Sequence, residues 1–296
     1  MVSVRARTII KRSMNTRTPR SCAAWLVMAI ACGSQVASAI STNILITGYW
    51  PPTNEMLRPW SRNITQNPGG WQGANWENRG YNIHSYFPEF PGGVDVSPRG
   101  TGDFQVDYQN ASADFWRIVG ELNPVAIITF SRGNVGSSWE IESRHRKLPL
   151  NQWANDYQAP FKPTADLPIA SEPDLQIRNS SLPMNAIRDA VAAAGLPLNS
   201  YIDTSSAFGG TFVSEFTGYH SAWYAALHSS PSDPNRAVAG GHIHVGIDTP
   251  LAAARTATQI TLRTLTTYID TVIPGPGAVI TALIAVPLLT RRRKRV

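Results

Sequence analysis

Cysteine is nearly missing from this 296-residue chain. Its two cysteines, Cys22 and Cys32, both fall within the first 39 residues. The remainder has no disulfide to staple it and no thiolate for nucleophilic or metal chemistry. Acidic residues are missing from both ends. Residues 1–39 hold six Lys/Arg and residues 291–295 hold five, with no Asp or Glu in either stretch. Fifteen basic residues therefore remain for the middle, where all 20 acids lie, and the middle carries a net charge of −5. The overall +6 belongs to the termini, which argues against a nucleic-acid-binding domain. Internal repeats and low-complexity tracts are also lacking.

Long apolar runs are scarce, and both sit at the ends. A basic stretch to Arg20 precedes the run "CAAWLVMAIAC", which is too short to span a bilayer. It closes at Ala37-Ser38-Ala39, the pattern of a secretory cleavage site, so residues 1–39 read as a signal peptide. A weaker alternative is lipidation at Cys32, in "AIAC". The C-terminus reads "IPGPGAVITALIAVPLLTRRRKRV". A Pro-Gly turn, a marginal apolar run and an arginine cluster resemble the PEP-CTERM type of bacterial sorting signal, with "PGPG" for Pro-Glu-Pro. Residues 273–296 would then touch the membrane, with the arginines on the cytoplasmic side. A plain anchor is the alternative. The expected protein is exported to the periplasm, cell surface or exterior.

Residues 40–272 remain as the folded part, read as one α/β domain. "NILITGYW" (43–50) reads as a buried strand running into a glycine turn. "PVAIITFS" (124–131) is a continuous apolar run, as in a strand covered on both faces. Helical spacing marks 112–123, with Ser112 as N-cap, and 182–197, ended by Gly195. Further helices are expected over roughly 212–228 and from Pro250 onward. "NSYIDTSS" and "AVAGGHIHVGID" read as strands. Strands alternating with helices predict a mostly parallel sheet in a three-layer α/β/α sandwich. Residues 51–110 and 148–180 read as loop-rich insertions.

Three places carry possible chemistry. Ser214 sits where the glycine-led "GGTFVSEFTGY" turns helical. His242 and His244 share one face of a strand. Glu140 and Glu142 follow the strand at 124–131. In a parallel α/β sheet such positions meet in the crevice beyond the strand ends. Each residue has a plainer reading. Serine is common at helix starts, histidine is often a satisfied core residue, Glu140 reads as solvated, and Arg144, His145 and Arg146 read as a solvated charge run. A zinc site built on His242, His244 and Glu142 lacks an evident further ligand.

The order of these segments resembles the pyroglutamyl peptidase I family of cysteine peptidases. "ILITGYWPP" stands at the family's opening strand and Gly-Phe-x-Pro-Phe turn. "PVAIITFS", followed eleven residues later by Glu142, stands at its buried strand and catalytic glutamate. "GGTFVSEFTGY" stands at Gly-Thr-Tyr-Val-Cys-Asn, with Tyr219 at the matching offset, and "GHIHVG" at Gly-Phe-Ile-His-Val-Pro. The resemblance covers about 41–270. It implies a triad of Ser214, His244 and Glu142, a substrate site at Tyr49, Trp50 and Gly210, no cofactor or metal, a small peptide or amide substrate, and a possible homo-oligomer.

The sequence departs from the pattern at several points. The family's cysteine is Ser214, the following Asn is Glu215, the first Phe of the turn is Tyr49 and the second is Pro52. His242 replaces an apolar position. A serine needs an adjacent base, which His244 would supply with Glu142 orienting it. Glu215 places negative charge beside the nucleophile. Two functions stay open: a Ser-His-Glu hydrolase that cleaves an amide next to a pyroglutamyl or similarly small acyl group, and a non-catalytic surface protein binding peptide or glycan through its Trp-rich loops (Trp50, Trp60, Trp71, Trp76).

Overall fold

The computed structural model describes residues 40–134 and 136–273. The expected signal peptide and nearly all of the expected sorting tail lie outside them. Among the described residues no helix is long and apolar enough to cross a membrane.

Six strands form the central sheet in the order β2-β1-β3-β8-β4-β7. These are β1 (Asn43–Thr47), β2 (Asn82–Tyr86), β3 (Ala126–Gly133), β4 (Ser138–Glu142), β7 (Asn199–Asp203) and β8 (Ala239–Gly246). β2, β1, β3 and β8 run parallel. β4 is antiparallel to β8, and β7 follows β4 in parallel. The expected mostly parallel sheet is therefore present, with a reversed pair at one edge. A separate antiparallel ribbon joins β5 (Arg144–Arg146) to β6 (Ile177–Asn179).

Side-chain alternation splits the core in two. Ile44, Ile46, Ile128, Phe130, Ile243 and Val245 face one side. They pack there with residues of α1 (Thr53–Leu57), α3 (Met184–Ala193) and α5 (Leu251–Val272). Leu45 and Ile127 face the other side, with α2 (Tyr108–Leu122) and α4 (Val213–Leu227). Burying each such side chain contributes roughly 1.5–3 kcal/mol, so strands covered on both faces read as unbroken apolar runs.

Two boundaries differ from expectation. α2 begins a turn before Ser112, because Asp107 caps it by accepting the Asn110 N–H at 3.0 Å. Ser112 is buried within the helix. Glu140 and Glu142, expected after the strand at 124–131, do follow it, but on a further strand, β4, absent from the expected elements.

Candidate active site

Beyond Leu45 and Ile127 the α2/α4 face of the sheet turns polar. On β3 the residues that follow with the same parity are Thr129 and Ser131, and on β8 they are His242 and His244. The parallel register aligns Thr129 with His242 and Ser131 with His244. On β4, Trp139 and Ile141 join the opposite apolar core, so Glu140 and Glu142 share the polar face. The antiparallel register sets Glu140 opposite His244. Glu142 then reaches His244 diagonally, and its Oε1 accepts from Nδ1 at 2.8 Å. Its side chain is 2% exposed and that of His244 is 11% exposed, opening on a cleft of about 480 Å³.

Ser214 enters the same cleft from the first turn of α4. It is not the N-cap. Phe212 holds that place and gives no side-chain cap, so the amides of the first turn lack a side-chain acceptor there. Ser214 Oγ donates to the Gly209 carbonyl at 3.1 Å. No hydrogen bond joins it to His244 in this state. The two nonetheless flank one residue: a Cβ on Gly209 would lie 3.5 Å from His244 Cε1 and 2.7 Å from Glu215 Oε2. Gly209 therefore has no room for a side chain. Gly210 follows at φ +93°, a conformation that glycine adopts without strain.

Glu215 turns away from the cleft. Its carboxylate is fully buried, accepts from the Gly209 N–H at 3.1 Å and the Arg146 N–H, and pairs with His145 Nδ1 at 3.2 Å. The expectation that Arg144, His145 and Arg146 form a solvated run fails at His145, which has no exposure because it is this carboxylate's partner. The flanking arginines stack over Phe208 at 4.9 and 4.5 Å. Glu215 thus staples the glycine loop to β5.

One wall of the cleft is aromatic. Trp50 stacks on Tyr157 at 6.0 Å and 27°. Phe208, Phe212 and Tyr49 complete it. The cleft is also lined by the carboxylates of Glu140, Glu142 and Asp203. Glu140 is half-buried rather than solvated. Burial raises its carboxyl, as do Glu142 and Asp203, against the pull of His244 and a hydrogen bond to Tyr201. Ligand atoms of Glu140, Glu142 and His244 lie within 4.8 Å of one another, close enough to grip a cation. His242 is not free to join them, since its ring nitrogens meet Thr129 Oγ1 at 2.7 Å and Ser131 Oγ at 2.8 Å.

The structure brings Ser214, His244, Glu142, Tyr49, Trp50 and Gly210 to one cleft. Of the other tryptophans, Trp60 and Trp76 are buried edge to face, and Trp71 bonds the Ile83 carbonyl at 2.8 Å. They pin the loops of residues 51–110. Tyr157 was not anticipated. It reaches the cleft from the 148–180 insertion, and no local motif marks it.

This topology defines an α/β fold with a polar cleft beyond the C-terminal ends of the central strands β3 and β8. No protein-family model matches the chain, and no curated protein sequence matches it. Solved structures do. The pyrrolidone carboxyl peptidase from Thermococcus litoralis superposes with a TM-score of 0.54 at 16% identity, covering 78% of this chain and 96% of that one. A mutant of the Pyrococcus furiosus enzyme gives 0.53 at 16% identity, covering 77% and 99%. Another Pyrococcus furiosus structure, reported with a cysteine-free mutant, gives 0.52 at 15% identity with the same coverage. At these identities the likeness establishes the fold: a pyrrolidone-carboxyl-peptidase-like α/β sandwich.

Proposed function

We propose that the chain is a serine hydrolase that cleaves an amide next to an N-terminal pyroglutamyl or similarly small acyl group. The observation that carries this reading is the buried Glu142–His244 pair, 2.8 Å apart, opening on the cleft that also holds Ser214. Glu142 holds the proton on Nδ1 and leaves Nε2 as the base. Rotation of Ser214 about its Cα–Cβ bond releases Gly209 and turns the hydroxyl toward that base. Resting-state hydrogen bonds of this kind commonly rearrange when substrate binds. Oγ attacks the carbonyl carbon, its proton passes to Nε2, and the oxyanion meets the uncapped amides of the first turn of α4. His244 then protonates the leaving amine. Water hydrolyses the acyl-enzyme by the same steps in reverse. The aromatic wall of Tyr49, Trp50 and Tyr157 suits a small flat acyl group. The reading includes export by the N-terminal segment, membrane contact through the C-terminal segment and a possible homo-oligomer. It needs no cofactor.

Incubation of the full chain with a serine-directed phosphonate, followed by peptide mass spectrometry, tests it. Ser214 should be labelled, and Ser214→Ala and His244→Ala should abolish that label. An unlabelled Ser214 in the wild-type chain sinks the hydrolase reading.

A further inference from the structure

Glu140 has no task in the proposed reaction, yet it stands beside two residues that do. Antiparallel pairing sets it directly opposite His244, and Glu142 lies two residues on, along the same face of β4. Ligand atoms of Glu140, Glu142 and His244 all lie within 4.8 Å of one another. A zinc site on His242 is closed, because both nitrogens of that ring are engaged, with Thr129 Oγ1 and Ser131 Oγ. Glu140 supplies the ligand that such a site lacks. Gly133, at the end of β3, leaves the approach clear: a Cβ there would lie 3.1 Å from His244 Cβ and 3.4 Å from Glu140 Oε2.

The charge balance favours a cation. Asp203 pairs with Glu142 in the parallel register and lines the same cleft. Its carboxylate accepts from the Ser205 amide at 2.7 Å and from the Ser205 hydroxyl at 3.0 Å. Among the described residues no lysine or arginine forms an ion pair with Glu140, Glu142 or Asp203. Arg132 also lines the cleft, but its guanidinium stands over the Trp50 ring at 5.5 Å. One imidazole and two carboxylates suit zinc, which binds nitrogen and oxygen at about 2.0–2.2 Å. Neighbouring ligand atoms of a tetrahedral zinc stand about 3.4 Å apart, so rotation of the half-buried Glu140 side chain has at most roughly 1.4 Å to close. The fourth position faces the cleft and takes water.

We propose that Glu140, Glu142 and His244 form a binding site for a divalent ion of the zinc type, and that the bound ion takes His244 out of use as a base. The inhibition rests on the hydrolase reading above; the binding does not. A metal on Nε2 occupies the lone pair that would take the Ser214 proton. A metal on Nδ1 displaces the proton shared with Glu142, and the neutral ring then carries its proton on Nε2. Either way the serine loses the base it needs. Glu140 sets this sensitivity, because it holds the metal and the serine reaction does not use it.

Equilibrium dialysis of the full chain against zinc, and timed phosphonate labelling of Ser214 with and without zinc, test the two halves separately. Wild type should bind about one zinc ion more than His244→Ala, in which Cys22 and Cys32 give the same background. Glu140→Gln should weaken that site about tenfold or more, since loss of even an outer partner of a metal ligand costs about 10–100-fold. Saturating zinc should slow labelling of wild type at least about 100-fold, the worth of a general base, and a chelator should restore it. The zinc concentration that halves the rate should rise about tenfold or more in Glu140→Gln, each chain being compared with its own metal-free rate. Equal zinc binding by wild type and His244→Ala overturns the proposal. So does equal zinc sensitivity of wild type and Glu140→Gln, or a zinc-loaded wild type labelled at full rate. Absence of label in the metal-free wild type overturns the hydrolase reading instead, and the dialysis still decides whether the metal site exists.

Discussion

Two carboxylate–imidazole pairs lie on the same polar side of the sheet, and they differ in what surrounds them. Glu142–His244 is the tighter, at 2.8 Å, and its histidine opens on the cleft. Glu215–His145, at 3.2 Å, is sealed, and its carboxylate also takes two backbone amides. Glu142 has one acceptor task, orienting a ring whose other nitrogen faces the cleft. Glu215 has three: two tie α4 to the ribbon and the third ties the glycine loop to α4. The chemistry of a pair is the same in both; access decides which one can act and which one can only hold. Conversely, the sealed pair shapes the open one, because Glu215 fixes the Gly209 loop that Ser214 and His244 share.

The sharpest break in this comparison should come from Glu142→Gln. Glutamine keeps an acceptor for Nδ1–H but removes the charge that stabilises the imidazolium, and in triads of this kind loss of the carboxylate costs roughly 10⁴-fold in rate. Phosphonate labelling at Ser214 should fall by a similar factor, while urea unfolding should shift by no more than about 1 kcal/mol. A labelling rate within tenfold of wild type would separate Glu142 from the reaction. Glu215→Gln should do the reverse. It breaks a fully buried pair and turns an amide N–H₂ toward backbone donors, a change worth about 3 kcal/mol or more in unfolding free energy. A loss under about 1 kcal/mol would mean that His145 and the loop do not depend on this staple.

How far the sequence reveals these pairs follows from where their partners come from. Ser214 and His244 are legible because glycine-led segments mark the start of α4 and strand β8. Glu142 is legible through its spacing from β3, yet its strand is not, although Trp139-Glu140-Ile141-Glu142 alternates with period two. Its two glutamates argue against a buried strand, and only the neighbouring His244 makes burial of Glu142 affordable. The Glu215–His145 pair is hidden for the same reason, since 70 residues separate two groups that make sense only together. Asp107 outcompetes Ser112 as the cap of α2 because the helix starts where Asp107 can bond the Asn110 amide, not where the apolar period begins. Tyr157 joins Trp50 from an insertion without periodicity, and no local rule reports such a contact.

A third imidazole sharpens the comparison by having no carboxylate at all. His220, on α4, bonds the Phe216 carbonyl through Nδ1 at 2.7 Å and is otherwise enclosed by the rings of Phe115, Trp116, Phe216 and Trp223. Burial pushes its pKa down to about 4, against the pull of the Phe216 carbonyl and Glu172. Above pH 6.5 the ring is neutral in both folded and unfolded chains and the linkage is silent. Between pH 6.5 and 4 the unfolded chain takes up a proton that the folded chain refuses, so stability falls as pH falls. By pH 5 this one histidine should cost about 2 kcal/mol. His242, also held low by burial, acts in the same direction, and the raised carboxyls of Asp103, Glu140 and Asp156 act against it. Those contributions cancel when His220→Phe is compared with wild type at both pH values. Urea unfolding at pH 7 and pH 5 should show the drop between them shrinking by about 2 kcal/mol in the variant. If the two chains lose the same stability, His220 is already charged in the folded protein, and an imidazole on this helix does not need a carboxylate to keep its proton.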